Sequence, residues 1–277
     1  MSQTIQLVAI DLDGTLLNRQ KQITPRNLRA LEEVRKRGVL IVPVTGRPWA
    51  GVPREVMDLP GLRYTVTSNG ATIRDHVENR VLREHHLDME LSLDILARTA
   101  HFDMVREVCR DGIGYLEQGD FDILRARYEG TAMLDYLLAT RQVVPGTLPD
   151  FIRSAGMPVE ELYFLTNSRE AKVELRSFLT GIPGIGFANP FPNDLEVMSS
   201  GIDKGVGLDW LTDYLHIPLE ATMAIGDEGS DLPMLEKAGL SVAMSNGASF
   251  VKKAADFVTS SCDEDGVALA LERFILE

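Results

Sequence analysis

Alternation between apolar and polar positions divides the chain into short buried strands and amphipathic helices. Val8-Ala9-Ile10 is an apolar run that ends abruptly in Asp11-Leu12-Asp13-Gly14-Thr15. Thr24-Pro25 then supplies an N-cap and first helical position, Leu28, Leu31 and Val34 follow at helical spacing, and Gly38 closes the helix. Val39 to Val44 is almost unbroken and β-branched, the pattern of a strand buried on both faces of a parallel sheet. Strand, helix and strand make a right-handed βαβ unit. A third strand is expected at Tyr64 to Thr67, ending in Ser68-Asn69-Gly70. Towards the other end a helix from Lys204 to Leu215 precedes strands at Thr222 to Ile225 and Leu240 to Ala243. The two ends read as halves of one α/β sheet.

The middle has a different texture. A helical pattern (Leu87, Leu91, Ile95, Leu96) is mixed with strand candidates at Met104 to Val108, Gly114 to Glu117 and Glu161 to Leu165, separated by Gly and Pro. Val144-Pro145-Gly146 and Ile182-Pro183-Gly184 read as turns inside this segment. It is read as an inserted α/β module at 83–190, between core segments 1–82 and 191–277, with hinges near Arg80 to Glu84 and Asn189 to Asn193.

Composition narrows the function classes. At 277 residues, 44% hydrophobic and 25% charged, the chain reads as globular and large enough for one big domain or two smaller ones. A formal charge of -13 argues against nucleic acid or an anionic membrane as the main partner. Cys109 and Cys262 lack CxxC spacing and read as buried small hydrophobes. No stretch approaches a membrane span and the N-terminus lacks a secretory pattern, so the cytoplasm is the expected location. His85-His86 is expected at the solvent, Trp49 and Trp210 in packing, and Asp263-Glu264-Asp265 in a solvated loop.

Four clusters fall at strand ends or helix starts: Asp11 to Thr15, Thr45-Gly46-Arg47, Lys204, and Gly226-Asp227-Glu228-Gly229-Ser230-Asp231. In open parallel sheets ligands bind beyond the carboxyl ends of strands. Side chains two apart on a strand project the same way, so Asp11 and Asp13 can converge on one ligand. Together these clusters resemble the haloacid-dehalogenase-like hydrolase superfamily, in the form of its Cof-type sugar-phosphate phosphatases. The similarity extends to Ser68-Asn69-Gly70-Ala71, Leu195-Glu196-Val197, Gly201 to Gly205, and Val242-Ala243-Met244 with Asn246. It implies a Rossmann-like core of parallel strands with an inserted α/β cap that reads the leaving group, and a magnesium-dependent phosphatase acting on a small phosphomonoester.

The chemistry agrees with that expectation. An aspartate with an ordinary pKa of about 3.9 is ionised at neutrality, so Asp11 can attack phosphorus without a base. Two like charges about 4 Å apart repel by about 4 kcal/mol at an effective dielectric of about 20, so cations are required. Mg²⁺, Lys204 and Arg47 balance Asp11, Asp227 and a phosphate dianion if Asp13 is protonated, which suits Asp13 to general acid/base work. The resemblance likewise makes Asp11 the nucleophile and Asp13 the acid/base. It implies the Asp11 carboxylate, the Asp13 main-chain carbonyl and Asp227 as metal ligands; Asp231 is a further candidate at the metal, touching it directly or through a neighbouring group. Thr45, Gly46 and Lys204 can bind phosphate, and Arg47 the phosphate or the rest of the substrate; Asn69 reads as a turn residue from its place in the chain, and the resemblance implies a substrate contact. Ser230 stands where the family usually has Asn. Two other readings use the same residues: a phosphotransferase or mutase, and a non-catalytic binder of phosphorylated metabolites. The substrate's identity and the oligomeric state are not legible.

Overall fold

A computed structural model describes residues 4–156, 159–188 and 192–277. In chain order the elements are β1 (Leu7–Ile10), α1 (Pro25–Lys36), β2 (Leu40–Pro43), α2 (Arg54–Met57), β3 (Tyr64–Thr67), β4 (Thr72–Asp75) and β5 (Arg80–Glu84). There follow α3 (Met89–Arg98), β6 (Met104–Arg110), β7 (Ile113–Leu116), α4 (Gln118–Arg127), α5 (Ala132–Thr140), β8 (Arg141–Val143), α6 (Leu148–Ala155), β9 (Glu161–Thr166), α7 (Arg169–Leu179), β10 (Ile185–Ala188) and β11 (Asp194–Ser199). The chain ends with α8 (Lys204–Leu215), β12 (Thr222–Gly226), α9 (Leu232–Lys237), β13 (Leu240–Met244), α10 (Ser249–Ala254), β14 (Phe257–Thr259) and α11 (Gly266–Leu271).

Two compact units result. The first takes the described residues up to Gly46, then Val52–Glu84 and Asp203–Glu277; the second takes Arg47–Gly51 and the described part of His85–Ile202. The sequence-based boundary at 82/83 therefore falls two residues earlier than the structural one. The boundary at 190/191, and the hinge positions 189–191, lie outside the described residues. Leu195-Glu196-Val197, placed in the core by the sequence division, belongs instead to the second unit. The cause is strand pairing: β11 lies between β9 and β10.

In the first unit a parallel sheet has the order β14-β13-β12-β1-β2. Its central strands β12 and β1 are buried throughout, and apolar but for Thr222, because both faces are covered. One face packs Leu7, Ala9, Val42 and Ala224 against Leu208 and Leu211 of α8 and Met234 and Leu235 of α9. On α1, capped by the Thr24 side chain, the buried residues are Asn27, Ala30, Leu31 and Val34. Asn27 ties that helix to α11 by accepting a hydrogen bond from Ala268 N at 2.8 Å.

The strand expected at Tyr64 to Thr67 forms, but it opens a separate antiparallel sheet, β3-β4-β5. Ser68 and Asn69 hold φ values of 49° and 53°, and the chain reverses there before β4. An isolated parallel bridge, Val44 to Val66, joins β3 to the end of the main sheet's edge.

The second unit is a mixed six-stranded sheet, order β10-β11-β9-β6-β7-β8, antiparallel except at β7–β8. One face carries Met104, Val108, Leu162, Phe164 and Val197 with apolar residues of α3, α6 and α7. On the other, Val105, Leu116 and Leu165 pack with Leu124 of α4 and Leu137 of α5.

Candidate active site

The site grows out of strand register. Ile10 of β1 lies beside Ile225 of β12 and Pro43 of β2, so the three strands end together. Asp11 follows β1 and Asp227 follows β12, which puts both carboxylates at one carboxyl edge of the sheet. Gly14, at φ +84°, turns the chain where a Cβ would stand 2.4 Å from Asp227 Oδ2. A side chain at that position would displace Asp227.

Around this edge Asp11, Asp227 and Asp231 each offer a carboxylate oxygen within 4.8 Å of the others. All three are buried. Lys204, the first residue of α8, donates at 2.6 Å to both Asp11 Oδ1 and Asp231 Oδ1, and its side chain is only 3% exposed. Asp231 Oδ2 accepts from the backbone N–H groups of Asp227 and Glu228, both at 2.9 Å. Both Asp231 oxygens are therefore engaged within the protein. Asp227 is aimed by the Thr15 hydroxyl, which donates to Oδ1 at 3.1 Å, and by Asn246 Nδ2, 3.4 Å from Oδ2.

The electrostatics follow from burial. Desolvation, then the charges of Asp231 and Asp227, push the Asp11 carboxyl well above its ordinary value in spite of Lys204. Desolvation and Asp231 push Asp227 up to about 7. The Lys204 ammonium is itself disfavoured by burial, yet Asp11 and Asp231 hold its pKa above normal. The pocket therefore holds more negative charge than one ammonium can offset, in an all-oxygen donor set. Those donors fit a hard divalent cation.

The other expected residues lie in the segments that follow β1, β2 and β3. Thr45, just beyond β2, donates its N–H to Val66 O at 2.9 Å, and its carbonyl accepts from Asn69 N at 3.1 Å. A Cβ on Gly46 would lie 3.0 Å from Asn69 Oδ1. Thr45, Gly46 and Asn69 thus form one grouping in which Thr45 and Asn69 are buried, with Asn69 fixed by its left-handed backbone.

Arg47 belongs to the second unit: its guanidinium donates to Gly51 O at 2.7 Å and lies 5.4 Å from the Tyr136 ring centroid. Asp13 has a cation beside it. Its Oδ1 accepts from Lys21 Nζ at 2.6 Å, and its side chain is 36% exposed. The charge tally read from the sequence therefore omitted Lys21, an isolated loop lysine with no motif to mark it, and Asp231. Thr15 and its hydroxyl contact were also missed, although the residue stands within the first cluster. Ser230 is exposed. His85, expected at the solvent, is half-buried with Nε2 3.0 Å from Ser199 Oγ. The two cysteines are free and buried, as expected.

A family model for haloacid dehalogenase-like hydrolases matches residues 8–271. The chain belongs to the haloacid dehalogenase-like hydrolases. It is 30% identical to the 5-amino-6-(5-phospho-D-ribitylamino)uracil phosphatase YcsE of Bacillus subtilis, over 98% of this chain and 96% of that protein. A haloacid dehalogenase-like hydrolase from B. subtilis superposes with a TM-score of 0.83 at 27% identity, covering 97% of this chain and 99% of the other. The subclass IIB sugar phosphatase BT4131 superposes with a TM-score of 0.82 at 26% identity, covering 97% and 98%. Phosphatase relatives along the whole chain and the shared fold make this family member an enzyme of the phosphomonoester-hydrolase kind. No helix among the described residues is long and apolar enough to cross a membrane.

Proposed function

We propose that the protein hydrolyses a small phosphomonoester, such as a sugar phosphate or related metabolite, through a covalent aspartyl-phosphate on Asp11. The observation that carries this reading is the convergence of Asp11, Asp227 and Asp231 with the bridging Lys204 at one sheet edge. In the first step an Asp11 oxygen bonds to phosphorus as the bond to the leaving alkoxide breaks, and Asp13 gives that alkoxide a proton. In the second, water bonds to phosphorus and gives its proton to Asp13, releasing phosphate and restoring Asp11. Asp13 leaves its Lys21 partner and takes up a proton from solvent before the first step. Lys204 opposes protonation of Asp11 and holds it in place, while Thr45, Gly46 and Asn69 hold the phosphate oxygens, and Arg47 serves substrate binding.

Mg²⁺ is the proposed cofactor. The Asp11 and Asp227 carboxylates and the Asp13 carbonyl would hold it, and when bound it offsets the negative charge of nucleophile and phosphate. Asp231 acts by orienting Lys204 and the Asp227 backbone, since both its oxygens already have donors. Relatives named for a phosphorylated ribitylaminouracil and for sugar phosphatase activity support a small phosphorylated metabolite as substrate. The reading carries with it a cytoplasmic location, where such metabolites are made and consumed.

Asp11→Asn is expected to lower turnover of an aryl phosphate by about a thousandfold or more, with an unchanged circular dichroism spectrum. Turnover within tenfold of wild type would refute the assignment. A chelator should abolish activity and Mg²⁺ restore it.

A further inference from the structure

The loop after β13 reaches the catalytic edge from outside the four sequence clusters. Asn246, exposed at that edge, donates from Nδ2 to Gly14 O at 2.9 Å, and the same nitrogen lies 3.4 Å from Asp227 Oδ2. The other end of the amide is engaged as well, since Oδ1 accepts from Cys262 N–H at 2.9 Å. Cys262 is buried, and the residues after it are anchored to the loop that follows β1: Asp263 accepts from Arg19 N–H at 3.0 Å and Asp265 from the Thr24 hydroxyl at 2.6 Å. Behind Asp227, Ala248 N–H donates to its carbonyl at 2.9 Å, and a Cβ on Gly247 would stand 2.5 Å from the same oxygen.

Asn246 therefore spans two segments of the first unit, the Asp13-Gly14 turn and Asp227. An amide nitrogen carries hydrogens and offers no lone pair to a cation, so Nδ2 acts on a bound metal only through the groups it holds. With both ends of its amide tied, the side chain works as a spacer between them. That spacing matters differently to different cations. Mg²⁺ demands near-ideal octahedral oxygens at about 2.1 Å, whereas Ca²⁺ accepts about six to eight oxygens at about 2.3–2.6 Å in irregular arrangements. Loosening the spacer costs the smaller ion more.

We infer that Asn246 is a positioning residue for the cation, holding Asp227 and the Gly14 turn at the separation that favours Mg²⁺ over Ca²⁺. The inference rests on the proposed function only in taking Asp227 and the Asp13 carbonyl as cation ligands, and it is independent of which atom attacks phosphorus.

Isothermal titration calorimetry with Mg²⁺ alone and with Ca²⁺ alone tests this in wild type, Asn246→Ala and Asn246→Gln, without substrate and well below each unfolding midpoint. Asn246→Ala is expected to weaken Mg²⁺ by about tenfold or more and Ca²⁺ by less than about threefold, so that the ratio of the two affinities falls. Asn246→Gln, which keeps the donor on a longer stem, should lower the same ratio by a smaller factor. A partly unfolded variant would lose both ions alike, so equal weakening of the two overturns the inference, as does an unchanged ratio in Asn246→Ala. Wild type that binds neither ion would overturn the cation reading together with the inference, whereas wild-type binding with an unchanged ratio in the variants sinks the inference alone.

Discussion

Two buried acidic groupings differ in how their charge is held. In the first unit, Lys204 bridges Asp11 and Asp231, and two backbone N–H groups take the remaining Asp231 oxygen. In the second unit, on adjacent strands β6 and β9, Arg141 serves Glu107 while Glu161 keeps an oxygen without a hydrogen-bond partner among the described residues. The first grouping is built from loops at strand ends, where main-chain donors are available. The second stands on a sheet face, where the main chain is committed to its ladder and can offer carboxylates nothing.

Lys204 is where the contrast can be broken most severely. Lys204→Met leaves Asp11 and Asp231 buried without their shared cation, and is expected to cost about 3–5 kcal/mol of stability by chemical denaturation and nearly all activity. Glu161→Gln, by contrast, removes a charge that lacks a full partner and should leave the unfolding midpoint unchanged or raised. Equal losses in both variants would erase the distinction.

The same contrast has a pH dependence. Asp227 binds its proton up to about pH 7 in the folded protein but only in the ordinary carboxylate range when unfolded. The stability gained from that proton is fully present below about pH 4 and is lost as pH rises through about 7. Without divalent cation, Asp227→Asn should therefore be more stable relative to wild type at pH 8 than at pH 5 by differential scanning calorimetry. Mg²⁺ should raise the wild-type midpoint more at pH 8 than at pH 5, and the variant's midpoint little at either. A pH-independent difference would remove the electrostatic account of the cluster.

These two regions were not equally legible in the sequence. Asp11, Asp13, Lys204, Asp227 and Asp231 stand in compact motifs beside strand and helix signals, so local pattern alone placed four of them at one edge. The first-unit strands and α8 were likewise marked by unbroken apolar runs and by Lys204 at a helix start. Glu107, Glu161 and Glu196 come together only through strand pairing across long sequence separations, and no local pattern joins them. The limits of the insert escaped for the same reason: β11 carries a motif-like Leu195-Glu196-Val197, yet its partners β9 and β10 place it in the second sheet. The β4–β5 hairpin was hidden because its outer strand is only partly buried. Asp13's pairing with Lys21 depends on how the loop after Gly14 folds back, and nothing in the spacing marks it.

The smallest expected effect concerns that pair. Both its side chains are more than a third exposed, so Lys21→Ala should shift stability by less than about 1 kcal/mol in a denaturant titration. A larger loss would show that Asp13 depends on Lys21 as Asp11 depends on Lys204.

The central claim is that Asp11 forms a bond to phosphorus, and chemical trapping tests it most directly. Enzyme quenched during turnover of an aryl phosphate is reduced with borohydride, which converts an acyl phosphate to an alcohol, and its peptides are read by mass spectrometry. The account predicts homoserine at position 11, dependent on substrate. Modification at another aspartate, or none while turnover proceeds, would contradict it.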